Sequence, residues 1–196
     1  MVLNNLEFLN SLSDKEKAAV LEILNQYSST GASQKLNEIV STDYAEYPVD
    51  IITFIKDYNY LGKAWHTSDG RCKLFPYWEN ILKKLFPDPY SISYNNFIES
   101  GARGIGKSEI AVTCALYIMY RVMCLRNPLE FFNLKPTEKL AFAFMNITEA
   151  LAIDIGVSKF QSTVKMSPWF MERGTLSGRD EVVWNPPSYI KIIVGS

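Results

Sequence analysis

Hydrophobic and polar positions change their period partway along the chain. Over roughly the first ninety residues they follow a helical repeat. Ser13-Asp14-Lys15-Glu16 is a capping box, in which the serine hydroxyl bonds the Glu16 amide and that carboxylate reaches back. Val20, Ile23, Leu24 and Tyr27 follow at i, i+3, i+4 and i+7, one face of a helix that ends at Ser28-Ser29-Thr30-Gly31. Further helices are expected over residues 34–40 and 50–58, the second stopping near Gly62, with a turn at Thr67-Ser68-Asp69-Gly70. Trp78, Ile81, Leu82 and Leu85 mark one more amphipathic helix, closed by Phe86-Pro87-Asp88-Pro89.

From about Tyr94 the pattern alternates strand and helix. Residues 96–99 read as a short strand leading into a glycine-rich loop, and residues 107–125 as a helix apolar almost all round, hence covered on several sides. Asn127-Pro128 stops that helix, and residues 129–133 form a helical turn. Residues 139–145, Lys-Leu-Ala-Phe-Ala-Phe-Met, have the composition of a strand buried on both faces of a parallel sheet. Asn146-Ile147-Thr148-Glu149 is a second capping-box pattern, opening a helix that runs to about Val164. Ser167-Pro168-Trp169-Phe170 starts a short helix, and residues 181–184 and 189–194 close the sequence as strands. The order predicts an α/β fold with a mostly parallel sheet flanked by helices. Two parts are expected: a helical lead-in over residues 1–90 and an α/β core over residues 91–196.

Composition narrows the class without naming a function. With 47% hydrophobic and 21% charged residues the chain is neither collagen-like, disordered nor a disulfide scaffold. Its longest strongly apolar stretch, Ile110 to Tyr120, is too short to cross a bilayer, and the start lacks a signal-peptide pattern, so a soluble protein is expected. Cys72, Cys114 and Cys124 form no C-x-x-C pair and read as buried thiols in a reducing compartment. A single histidine, His66, leaves no basis for a His-based triad or a His-rich zinc site. Residues 1–94 carry 9 basic and 12 acidic side chains, residues 95–196 carry 11 and 9, and neither half has the strongly basic character of a nucleic-acid face.

The chemistry concentrates in one loop. Gly101-Ala102-Arg103-Gly104-Ile105-Gly106-Lys107-Ser108 satisfies G-x-x-x-x-G-K-[ST] in full. Glycines let successive backbone amides turn inward and approach phosphate oxygens closely, and the helix N-terminus behind them favours anions. Lys107 reaches the β- and γ-phosphates and Ser108 offers its hydroxyl to Mg²⁺, while Glu109 follows on the first turn. ATP and Mg²⁺ are therefore the expected cofactors. Arg103 has two readings: a charge that follows the γ-phosphate into the transition state, or a solvated arginine paired with Glu99 or another acid.

An arginine at that place in the loop, with the helix from Glu109 to Leu125 behind it, resembles the ATPase portion of the large terminase subunit of tailed bacteriophages. Supporting residues are the strand at 139–145 passing into Asn146-Ile147-Thr148, Ser167-Pro168-Trp169-Phe170, and the approach Tyr60-Leu61-Gly62 and Leu74-Phe75-Pro76-Tyr77-Trp78. The likeness spans roughly residues 45–196. It implies a P-loop NTPase of the additional-strand type, with ATP hydrolysis coupled to packaging of double-stranded DNA. It also implies a homo-oligomeric ring in the host cytoplasm, working with a portal protein and a small terminase subunit and not in a membrane. Arg103 and Lys107 would be catalytic, and Gly101, Ala102, Gly104, Ile105, Gly106, Ser108 and Glu109 would complete the phosphate contacts. Phe75, Pro76, Tyr77 and Trp78 would face adenine, although Trp78 also fits the core beside Ile81 and Leu85.

Hydrolysis in such proteins needs an apolar strand ending in an acid pair. Asp180-Glu181 follows Leu176-Ser177-Gly178-Arg179 and reads as a loop pair, and the apolar run from Ile190 carries no acid before Ser196. The expectation is a chain that binds nucleotide and hydrolyses it poorly, the N-terminal portion of a longer polypeptide or one product of a split or truncated gene. Two other classes stay open: a small-molecule kinase or helicase-like protein, for which Arg173 and Arg179 would imitate a lid, and a nucleotide-binding module without catalysis.

Overall fold

A computed structural model describes residues 43–94, 96–178, 181–185 and 189–195. The capping box at Ser13, the face from Val20 to Tyr27 and the helix expected over 34–40 lie outside these residues, as do Arg179 and Asp180. Residues 46–196 form a compact unit of their own, within which the expected boundary at residues 90/91 falls.

Helix α1 (Ile51–Lys56) starts where Asp50 caps it: the carboxylate accepts from the amides of Ile52 and Thr53 at 2.9 and 3.0 Å. It closes with the Gly62 amide donating to Asp57 O at 2.9 Å, and α2 (Gly62–Trp65) begins at once. A Cβ on Gly62 would lie 2.7 Å from the Asp57 carbonyl carbon, so this close approach requires glycine. Helix α3 (Pro76–Leu85) buries Trp78, Leu82 and Leu85, while Glu79 on its outer side pairs with Lys56 and Lys83, both at 2.8 Å.

The long helix α4 (Lys107–Cys124) is buried around much of its circumference, as its composition predicts, and α5 (Pro128–Phe131) follows. Its Tyr117 and Tyr120 rings meet Phe54 of α1 at 5.3 and 4.7 Å. Both phenols are satisfied by Val49: Tyr117 Oη donates to its carbonyl and Tyr120 Oη accepts from its amide, each at 2.8 Å. Burial pushes both hydroxyls well above the ordinary tyrosine range.

Four strands form one sheet in the order β1-β4-β3-β2: β1 (Leu140–Met145), β2 (Thr175–Ser177), β3 (Glu181–Asn185) and β4 (Ile190–Gly195). Among the described residues only β1 and β4 run parallel, Leu140 opposite Ile190 through Met145 opposite Gly195. The other two pairs are antiparallel, so the sheet is mixed rather than mostly parallel. Connection length explains this correction. Three residues join β2 to β3 and four join β3 to β4, whereas a parallel neighbour needs a crossover of about a dozen or more. With one apolar residue in three, β2 carried no strand pattern at all.

Two further expectations are corrected. Residues 96–99 join no ladder among the described residues; Phe97 and Ile98 are both exposed and bury no face against the sheet. Strand β1 is not buried on both faces. Leu140, Phe142 and Phe144 are half-buried, whereas Ala141, Ala143 and Met145 are exposed, because it stands at the described edge of the sheet with one face covered.

The cover comes from the chain that follows. Thr148, rather than Asn146, caps it, its hydroxyl accepting from the Leu151 amide at 3.3 Å. One turn, α6 (Glu149–Leu151), passes into a π-helical turn (Ala152–Val157) and then α7 (Ser158–Met166). Gly156 sits hard against β1: a Cβ there would be 2.6 Å from Phe144 Cδ1. Ser167 then caps α8 (Pro168–Glu172), whose Trp169 and Phe170 complete the aromatic core with Trp184 of β3.

Candidate functional site

The glycine loop lies between residues 96–100 and the N-terminus of α4. Three of its residues adopt positive φ: Gly101 at 150°, Gly104 at 83° and Gly106 at 93°. L side chains rarely take these values, so the backbone of the cradle depends on glycine. Gly106 is the N-cap of α4, leaving the first amides of an 18-residue helix directed at the loop's concave side.

Trp78 holds the loop from behind. It is 6% exposed on α3, and its indole Nε1 donates to Ile105 O at 2.7 Å. The two readings of this residue thus meet: it is core on one side and a strut for the loop on the other. Lys107 folds back across the loop, its Nζ donating to Gly101 O at 2.9 Å and Ala102 O at 2.7 Å. An ammonium has three hydrogens, so a third stays available to an incoming anion. Glu99 stands nearby, half-buried, with Oε1 lacking a hydrogen-bond partner among the described residues. Burial pushes its carboxyl above the ordinary range against the opposing pull of Lys107. Arg103 is exposed and makes no ion pair among the described residues, so the second of its two readings, a pairing with Glu99 or another acid, finds no partner there.

Two cavities flank the loop. The larger, about 630 Å³, is lined by Arg103, Lys107, Ser108, Glu109, Ile155 and Lys159 together with loop glycines. Three cations against one carboxylate, at a helix N-terminus, suit a polyanion. The other, about 370 Å³, is walled by Trp65, Lys73, Phe75 and Trp78 and shares Gly104 and Gly106 with the first. A flat aromatic wall beside an anion cradle suits a base attached to phosphates. Of the four residues expected at adenine, Phe75 and Trp78 line this cavity, whereas Pro76 does not line it, nor does Tyr77, which is 66% exposed. Trp65, Lys73, Ile155 and Lys159 escaped sequence reasoning, since none belongs to a local motif.

The remaining candidates are structural. Arg173 stacks over Trp169, 4.1 Å from the ring centre, and pairs with Glu46 at 2.5 Å, so it is engaged in the core rather than poised as a lid. Cys114 and Cys124 are pushed up to about 12 by burial, which keeps both as unreactive thiols. His66 Nδ1 lies 2.8 Å from Gly62 O, and its ring stacks on Tyr58. Glu181 opens β3. Among the described residues no three His, Cys, Asp or Glu side chains gather to hold a metal, and no helix is long and apolar enough to cross a membrane.

A family model with the description "Uncharacterized protein MJ0330, N-terminal P-loop domain" matches residues 9–182, which include the whole glycine loop and α4. No curated protein and no solved structure matches the chain. The chain therefore belongs to the family of the MJ0330 N-terminal P-loop domain.

Proposed function

We propose that this chain binds ATP with Mg²⁺ on the 101–108 loop and serves as the nucleotide-binding part of a DNA-packaging motor of the large terminase type. The observation that carries the nucleotide reading is the cation-lined cavity at the N-terminus of α4, where three loop glycines stand at positive φ. Lys107 exchanges the carbonyls of Gly101 and Ala102 for the β- and γ-phosphates, and Ser108 presents its hydroxyl to the metal. Mg²⁺ would be held through the Ser108 hydroxyl and would supply neutralisation of the charge on the phosphates. The base rests on Phe75 and Trp78, with Trp65 and Lys73 closing the same recess.

Arg103 supports the motor reading: exposed and lining the cavity, it can follow charge moving onto the terminal phosphate. The likeness to the terminase subunit over residues 45–196 adds the rest of the proposal, namely double-stranded DNA, portal and small-subunit partners, a ring, and the host cytoplasm.

Titration calorimetry with Mg-ATP tests the first part. Wild type binds, and Lys107→Ala weakens binding at least about tenfold, the loss of one charge-assisted contact. Equal binding by the two overturns the nucleotide reading. For the second part, in a polypeptide that also carries the acid pair hydrolysis needs, linear double-stranded DNA raises turnover, and Arg103→Ala lowers it while keeping most of the affinity. Phosphoryl transfer to a small acceptor in place of DNA-stimulated hydrolysis would favour a kinase instead.

A further inference from the structure

Lys159 is the cation that the loop motif does not predict. It belongs to α7, yet it lines the same cavity as Arg103, Lys107 and Ser108. Its ammonium pairs with the carboxylate of Glu109, the third residue of α4, fifty positions away in sequence. The side chains of Lys159 and Glu109 are 38% and 51% exposed, so water screens the pair and it contributes little to stability. A contact of that kind is easily exchanged for a stronger one.

The mount is more definite than the pair. The π-helical turn at Ala152–Val157 lies between the cap at Thr148 and α7, and π turns recur where a helix must re-aim side chains at a functional site. Gly156 seats that turn against Phe144 of β1, while Ile155 and Lys159, four residues apart, both line the cavity. The seat of Gly156 on β1 thus sets the place from which Lys159 reaches the cavity.

Resting on the nucleotide reading above, we propose that Lys159 is a specificity-determining residue of the phosphate site, a third cation that selects a triphosphate tail over a diphosphate. Glu109 is the latch that holds it when no phosphate is present. Arg103, Lys107 and Lys159 outnumber the single carboxylate of Glu109 in the cavity, and the tail with more negative charge gains most from drawing Lys159 off its partner. Because each Lys159–phosphate contact forms at the expense of the Lys159–Glu109 contact, removing the carboxylate strengthens binding where removing the lysine weakens it.

Calorimetric titration of the full chain with Mg-ATP and with Mg-ADP tests this. Lys159→Ala weakens Mg-ATP about tenfold and Mg-ADP by less than about threefold, matching one charge-assisted hydrogen bond made to the longer tail. Lys159→Arg keeps most of the preference, and Glu109→Gln tightens Mg-ATP. A lysine that only braces α7 would lower thermal stability and affect both nucleotides equally. Loss of binding in Lys107→Ala with an unchanged ATP-to-ADP ratio in Lys159→Ala overturns this inference alone. A wild type that binds neither nucleotide overturns the reading beneath it as well.

Discussion

Glu99 carries a charge that its surroundings oppose. Its Oε1 is buried without a partner among the described residues, and burial outweighs the pull of Lys107, so the carboxyl is pushed above the ordinary range. A carboxyl whose folded pKa is raised above the ordinary 4.5 stabilises fully below that value and loses the contribution as pH climbs through the higher folded value. Glu99→Gln removes the titration. Thermal melts therefore show the variant above wild type near neutral pH, with the gap closing by about pH 4. A constant gap, or a variant that melts lower at neutral pH, contradicts the assignment. Trp78 gives the opposite kind of test, a contact worth keeping. Trp78→Phe preserves most of the buried ring but removes the donor to Ile105 O, costing about 1 kcal/mol of stability. A loop so loosened binds Mg-ATP about fivefold more weakly, which calorimetry reads directly. Unchanged affinity would leave Trp78 as core alone.

At the scale of elements, what could be read ahead was whatever is encoded locally. The glycine loop and α4 are contiguous, and their chemistry sits in consecutive residues, so both their place and their character were legible. Strand β1 was legible to within a residue, but its exposure was not, because burial on a second face is decided by what packs there and not by the strand's own side chains. The direction of β2 and β3 turned on connections of three and four residues rather than on any hydrophobic pattern. Lys159 was invisible for a related reason: the π-helical turn shifts the register that a regular helix would have. Gly156 is the residue on which that turn hinges. Alanine there brings a methyl to 2.6 Å from Phe144 Cδ1, and relief requires either the ring or the turn to move. Gly156→Ala lowers stability by about 1–3 kcal/mol in urea unfolding, the usual cost of overpacking. Combined with Phe144→Ala it costs less than the two changes summed, whereas strict additivity in that cycle would mean the two residues do not press on each other.

Over the molecule as a whole, one side chain gathers segments that are far apart in sequence. Trp169 of α8 meets Tyr120 of α4 at 4.7 Å and Phe170 at 5.0 Å, and Phe170 in turn meets Trp184 of β3 at 5.8 Å. Its indole Nε1 donates to Glu46 Oε1 at 2.9 Å, and its amide donates to Asn59 O at 2.9 Å. The residues ahead of the loop, the long helix and the sheet thus meet around Trp169 and its neighbour Phe170, while the phosphate cavity lies at the other end of α4 and includes none of these residues. Trp169→Ala removes about 3–5 kcal/mol by creating a cavity, a large share of the roughly 5–15 kcal/mol that holds a domain of this kind together. Stability and binding are separable here, because nucleotide binds the folded state alone. Mg-ATP at a hundred times its dissociation constant returns about 2.7 kcal/mol to wild type and variant alike. Melting the Trp169→Ala chain with and without Mg-ATP therefore shows a low transition that recovers by the same free energy as wild type. A variant that still melts cooperatively but gains nothing from Mg-ATP would mean that the aromatic centre shapes the loop directly, and that α4 does not keep its two ends independent.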